Sequence, residues 1–400
     1  MVRLALEDLD AFWSEQLPEL YGVPFEPPAQ LYPYGPDTEP PPCGVRPLDY
    51  ADVAENALYC PQEDIIAWDR VALIPELQDE FGSLTVGVVM AHEYAHAIQS
   101  RAGVRGEMVT LELQADCFAG SWVADVSGRI DAFGATGEEL DDAIGGFLEL
   151  RDSLGVGAAD PQAHGSGFDR VSAFQEGFEG GPAPCTTYDA EPPQVVAIPF
   201  ASVTDLEQGG NLPIGELLDP LVTDLESFYA DLFADLDRRW DPIEEIEAVT
   251  PGDDEVSCGD DDLAAEELIS ASFYCVADDT VYYDDSELAP TLADIGDFAF
   301  GGELARLYAN AAQHQLDLFD VTDDDHDERL HADCLTGVYA AAQFAGEIPE
   351  QELVLSPGDL DEIMIAFLTI GDGADTSAFE RTAAFRAGFV DDFTGCDEYL

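Results

Sequence analysis

The sequence contains no lysine. All 14 of its basic residues are arginine, set against 85 Asp and Glu, for a formal net charge of −71 over 400 residues. A surface of this sign repels polyanions and argues against nucleic acid or an anionic membrane surface as partner. No run of 18 apolar residues occurs, so no transmembrane segment is expected. No two cysteines stand in CxxC spacing, which argues against a zinc ribbon or a thioredoxin-type site. The opening MVRLALEDLDAFW is broken by acids and is no secretion signal.

What is present is a folding composition, 46% hydrophobic and 10% aromatic. The acids interleave with apolar residues at helical spacing, unlike the long acidic tails of disordered chains. Surplus carboxylate without lysine is the expected signature of a halophilic protein, because salt screens the self-repulsion of such a surface. Eight well-separated cysteines suggest disulfides and an oxidising compartment. The expectation is therefore an extracytoplasmic protein, secreted or at the cell surface, whose targeting segment is absent from this chain.

The chain also repeats itself. DLDAFWSEQL (Asp8 to Leu17) returns as DLESFYADLF (Asp224 to Phe233), and AHEYAHAIQ (Ala91 to Gln99) as ARLYANAAQ (Ala305 to Gln313). ELQADCFAG at Glu112 returns as RLHADCLTG at Arg329, and GFDRVSAFQEGF at Gly167 as AFERTAAFRAGF at Ala378. The blocks keep one order and a nearly constant offset, which points to a tandem duplication. Copies are expected near 1–190 and 216–400, joined by a Pro- and Gly-bearing linker at 191–215. With four cysteines at corresponding positions in each copy, the economical bridges are Cys43–Cys60, Cys117–Cys185, Cys258–Cys275 and Cys334–Cys396, although other pairings satisfy the count.

Within the first copy, periodicity predicts a helix over 4–17, a proline-rich loop over 24–47 and short strands in NALYC and DIIAWD. Helices follow over 83–101, from Gly106 to Gly128, and over 138–154 and 168–177. The fold class is mainly α with a small β element (α+β), twice over.

On a helix, His92 and His96 lie one turn apart on one face and can present ring nitrogens to a single ion. Glu93 is rotated about 100° from His92, near the ion yet able to act as a base. HExxH thus supplies two neutral ligands, an open position and a carboxylate that takes a proton from the attacking water. A third ligand is needed. Glu112 is the first candidate, with Asp116 one turn on as hydrogen-bond acceptor from a ligand histidine; the two could exchange roles, and Glu107 is a weaker candidate. In the second copy His92, Glu93, His96 and Glu112 correspond to Arg306, Leu307, Asn310 and Arg329, while Tyr94, Gln99, Asp116 and Cys117 are matched by Tyr308, Gln313, Asp333 and Cys334. The differences fall on the residues a cation needs, so the second copy reads as a degenerate, non-catalytic pseudoenzyme domain. His164 can donate to an oxyanion on the attacked carbonyl, or cap the next helix together with Ser166; its counterpart is Asp375. Arg170, matched by Arg381, reads as structural. His314, His326 and His331 lack ligand spacing, and DVTDDDHDE lacks the Gly and terminal Glu of an EF-hand loop.

CG, YCP, HEYAH, LELQADCFAG, HGS…R and a closing cysteine together resemble the putative neutral zinc metallopeptidases of bacteria, over nearly all of the first copy. The resemblance implies a zincin-like fold of the gluzincin type, Zn2+ held by His92, His96 and Glu112, and Glu93 as general base. It also implies a location outside the cytoplasmic membrane. The function so expected is a zinc-dependent endopeptidase acting on protein or peptide. A non-catalytic, zinc-containing binding or structural protein of the cell surface is the alternative. Oligomeric state and cleavage specificity are not readable.

Overall fold

In the first unit, Met1–Ala197, helix α1 (Val2–Tyr21) buries Ala5, Leu6, Leu9, Phe12, Trp13 and Leu17. Their i, i+3, i+4 spacing makes the apolar stripe that a helix turns toward a core. The computed structural model describes residues 1–44, 48–155, 164–250, 256–263, 268–319, 326–370 and 376–400.

After α1 come β1 (Gln30–Tyr34), α2 (Tyr50–Val53), β2 (Ala57–Cys60), β3 (Ile65–Asp69) and α3 (Leu73–Glu80). The sheet order is β1-β3-β2, with β1 parallel and β2 antiparallel to β3. Strand β1 lies inside the segment expected to be loop. Pro33 can sit in it because β1 is an edge strand, bonded on one side only. Tyr34 is fully buried and its hydroxyl donates to the carbonyls of Val53 and Asn56 at 2.6 and 2.7 Å.

The helical layer consists of α4 (Gly82–Ala102), α5 (Met108–Ser127), α6 (Gly137–Glu149), α7 (Gly167–Gly180) and α8 (Pro182–Cys185). Helix α6 stops before the expected Leu154. Helices α5 and α7 cross at backbone contact. A Cβ on Gly120 would stand 1.9 Å from the Phe174 carbonyl oxygen, and one on Gly177 would stand 1.8 Å from that of Cys117. Only glycine permits this approach, and the Cys117–Cys185 bridge ties α5 to α8 beside it.

The second unit, Ile198–Leu400, comprises α9 (Val203–Gln208), α10 (Ile214–Asp235), β4 (Glu245–Val249), β5 (Val256–Cys258), β6 (Asp261–Leu263), β7 (Ser272–Cys275) and β8 (Thr280–Asp284). It continues through α11 (Leu288–Ile295), α12 (Asp297–Gln315), α13 (His326–Ala345), α14 (Asp359–Thr369), α15 (Ala378–Asp391) and α16 (Phe393–Cys396). Its three-stranded sheet runs β4-β8-β7, again one parallel and one antiparallel pairing. Gly337 and Gly388 meet the carbonyls of Phe385 and Cys334 as closely as their counterparts in α5 and α7 do theirs.

The segment 191–215 is not a plain linker. Val196 donates its N–H to Asp169 in the first unit, whereas Asp205 accepts from Ser356 Oγ at 2.9 Å in the second. All four expected disulfides are present, Cys43–Cys60, Cys117–Cys185, Cys258–Cys275 and Cys334–Cys396. Among the described residues no helix is long and apolar enough to cross a membrane.

Candidate metal centre

Helix α4 is buried on most of its surface, so the two histidines enter the interior rather than solvent. His92 and Glu93 are each 8% exposed, and Glu112 on the neighbouring α5 is 7% exposed. His92 Nε2 lies 3.1 Å from His96 Nε2 and 3.1 Å from Glu112 Oε2, while His96 Nε2 lies 3.5 Å from Glu112 Oε1. Tetrahedral donors about 2.0–2.1 Å from a zinc ion stand about 3.3 Å from one another. The three donors therefore have the mutual spacing of one metal's ligands. Glu107, the weaker candidate, is the N-cap residue of α5 and is not part of this group.

The outer contacts fix which nitrogen of each ring is bare. His92 Nδ1 meets Asp116 Oδ1 at 2.7 Å, and a proton there leaves Nε2 with its lone pair toward Glu112 and His96. His96 Nδ1 meets Gln99 Oε1 at 2.9 Å. The Gln99 amide cannot turn over, because its Nε2 donates to the Leu111 carbonyl at 2.7 Å and to Gln114 Oε1 at 3.1 Å. Both rings are thus set to bind a cation through Nε2. This part of Gln99 is not declared by its residue type. Its signal was position, one turn after His96 on the same face.

Arg170, from α7, is buried and grips Asp116 with Nε at 2.9 Å and an Nη at 3.0 Å. Burial raises the Asp116 carboxyl, but Arg170 and His92 outweigh it and hold the group below its usual range. Burial lowers His92, yet the carboxylates of Asp116 and Glu112 prevail and push it up to about 10. His92 and His96 likewise hold Glu112 far below the usual carboxylate range against its burial. Around the donors stand the carboxylates of Glu93, Glu112 and Asp116, with Arg170 bound to Asp116. A dication taking the place of the protons on His92 and His96 would balance these carboxylates.

A cleft of about 720 Å³ opens over the group, with His92, Glu93, His96, Glu112, His164 and Arg170 in its wall. Asn56 and, from the edge strand β2, Ala57, Leu58 and Tyr59 line the same cleft. His164 is there but outside the donor group. Its ring Nδ1 lies 3.2 Å from Asp152 Oδ1, its side chain is about half exposed at 52%, and its backbone N–H donates to Asp152 at 2.7 Å. Ser166 caps α7, accepting from Asp169 N at 3.1 Å.

At the corresponding places of α12 and α13, Arg306 bonds Glu303 at 2.6 and 3.0 Å, and Gln313 repeats the tether of Gln99 by donating to the Glu328 carbonyl at 2.8 Å and meeting His331 at 3.0 Å. Gln313 Oε1, which has no histidine to receive, is buried without a hydrogen-bond partner. Arg381 holds Asp333 at 2.8 and 3.1 Å as Arg170 holds Asp116. Asp375, the counterpart of His164, and residues 320–325 of the acidic stretch lie outside the described residues.

Comparison with known proteins adds the family. The chain is 30% identical over 153 residues to the uncharacterized protein YpfJ of Escherichia coli K12, covering 32% of this chain and 53% of that one. It is 28% identical over 160 residues to the uncharacterized protein Rv2575 of Mycobacterium tuberculosis H37Rv, covering 33% and 55%. The chain thus spans about half the length of the curated relatives it matches. No solved structure matches. Residues 2–188 match the family described as putative neutral zinc metallopeptidase. That family implies Zn2+, and His92, His96 and Glu112 are the group that fits it. The first unit, with the centre built on α4 and α5, is thus the part of the chain that is similar to the putative neutral zinc metallopeptidase family.

Proposed function

We propose that the first unit is a zinc-dependent endopeptidase. The observation that carries this reading is the convergence of His92 Nε2, His96 Nε2 and the Glu112 carboxylate, 3.1–3.5 Å apart, in the wall of a cleft that also holds Glu93. His92, His96 and Glu112 would hold the ion. Bound zinc supplies Lewis acidity, which acidifies water and polarises a carbonyl. Glu93 takes the proton of the attacking water on its carboxylate and delivers it to the departing amine. Asp116 and Gln99 keep the two imidazoles in the tautomer that binds through Nε2, and Arg170 keeps Asp116 ionised. His164 donates to the oxyanion that develops on the attacked carbonyl.

A peptide substrate is favoured by the edge position of β2. Its outer side is unpaired in the sheet and its residues line the cleft, so an extended chain can add to it by main-chain hydrogen bonds. We read the second unit as a degenerate copy of the first, arisen by duplication and without hydrolytic activity. Two arginines at ligand positions are the main support. The four disulfides favour an extracytoplasmic location, and the surplus of carboxylate favours a saline medium.

The test is zinc content together with casein or peptide cleavage, in high salt, for the native chain and Glu93→Gln. Expected are one zinc per chain in both proteins and cleavage only by the native one. Zinc without cleavage by the native protein, across many peptides, would leave the binding or structural reading in its place.

A further inference from the structure

In the second unit, three carboxylates are drawn together with no basic partner among the described residues. Asp297 begins α12, and Asp359 and Glu362 occupy the first turn of α14. One oxygen of each lies within 4.8 Å of the others. Asp359 is 4% exposed and Glu362 is 6% exposed, so these are not solvated surface acids. Each is oriented by a backbone donor. Leu212 N reaches Asp297 Oδ2 at 2.8 Å, Ser356 N reaches Asp359 Oδ2 at 2.8 Å, and Phe298 N reaches Glu362 Oε2 at 3.0 Å. Asp205 adds a fourth charge nearby, through its bond from Ser356 Oγ. The charges that act most strongly on the three are other carboxylates.

A second observation points to a ligand. Asp359 Oδ1 is buried without a hydrogen-bond partner. Asp359 also lines a cavity of about 220 Å³, together with Asp205, Asp297 and Gln343. The side-chain oxygen of Gln343, a residue only 5% exposed, is likewise unpartnered. Buried acceptors left unmade cost free energy, and buried like charges repel strongly where the dielectric is low. One hard cation relieves both penalties.

We propose that Asp297, Asp359 and Glu362 form a binding site for a hard divalent cation of the calcium class, separate from the zinc centre. The donors are oxygens only, which suits calcium and is unlike the nitrogen-containing set on α4 and α5. Calcium gives up its water more readily than magnesium and so suits a buried set of protein oxygens. The site ties the start of α12 to the start of α14, making it a structural staple of the second unit. At the start of α4 in the first unit Ser83 stands in place of an acid, and no comparable all-carboxylate group forms there among the described residues.

The experiment uses the full chain at fixed high NaCl in chelating-resin-treated buffer, with calcium alone as probe. Equilibrium dialysis and calorimetric melting are run on the native protein and on Asp359→Asn/Glu362→Gln. The native chain should bind one calcium more tightly than the diffuse binding of its acidic surface, which the variant retains. Its second-unit melting temperature should rise by roughly 5–10 °C at calcium a hundredfold above Kd. The variant should show no such rise, while its calcium-free melting temperature equals or exceeds the native one. If the double variant misfolds, Asp297→Asn provides the same comparison. Equal calcium responses in native and variant would overturn the site. So would a native melting temperature that rises on acidification and ignores calcium, since protons would then neutralise the cluster.

Discussion

Replacing Gln99 by leucine tests how the centre is oriented without touching a ligand. The amide carries three contacts at once: it accepts from His96 Nδ1 at 2.9 Å and donates to the Leu111 carbonyl at 2.7 Å and Gln114 Oε1 at 3.1 Å. Leucine fills similar volume and makes none of them. Losing an outer hydrogen bond to a ligand imidazole weakens zinc binding about 10–100-fold, which is about 1.4–2.7 kcal/mol. Leaving the Leu111 carbonyl and Gln114 unpaired costs the first unit roughly 1–3 kcal/mol of stability. Gln313→Leu is the control that separates these effects. It removes the same tether, to the Glu328 carbonyl and His331, where no metal histidine exists, and it also removes an acceptor that is already unpartnered. Zinc affinity is read by competition with a chromophoric chelator, at a temperature where circular dichroism shows each variant folded. Gln99→Leu should bind zinc at least tenfold more weakly than native, and Gln313→Leu should match native. Equal zinc affinities for Gln99→Leu and the native chain would refute the claim that this amide sets the His96 tautomer.

The remaining predictions concern stability. Removing the Cys117–Cys185 bridge, which spans 68 residues, should destabilise the first unit by about 4 kcal/mol on loop entropy, read as a fall in its calorimetric transition while the second unit's stays put. Asp333→Asn deprives the buried Arg381 of its ionic partner and should cost the second unit about 3–5 kcal/mol, with zinc content unchanged; a loss of zinc would contradict the placement of the metal in the first unit. Burial holds His331 down to about 4, against the opposing pull of Asp397, from an ordinary value of 6.5. The unfolded chain therefore takes up this proton at higher pH than the folded one. The second unit's stability should be whole above pH 6.5 and decline toward pH 4, by up to about 3 kcal/mol from this group. His331→Gln, which puts in α13 the residue that α5 carries as Gln114, should flatten that part of a urea-denaturation series; an unaltered slope would show that another group titrates there.

What the sequence disclosed depended on how local each feature is. His92 and His96 are one helical turn apart, so their joint use follows from helix geometry alone, and Asp116 could be placed behind a ligand because it follows Glu112 by the same spacing. The bridges were readable because four cysteines recur in one order. Strand β1 was hidden because Pro33 reads as loop, and its partner β3 begins some thirty residues later. The part played by Gln99 is hidden in the sequence, since its orientation is decided by a carbonyl and an amide on the next helix. Asp297, Asp359 and Glu362 were hidden most completely. In a chain with 85 acids a further carboxylate carries almost no signal by itself. Burial is what sets these three apart, and burial is decided when α12 and α14 pack, not within any window of the chain. A strongly acidic composition thus conceals buried carboxylates more thoroughly than an ordinary one would, and in such a protein an acid becomes informative only through its neighbours.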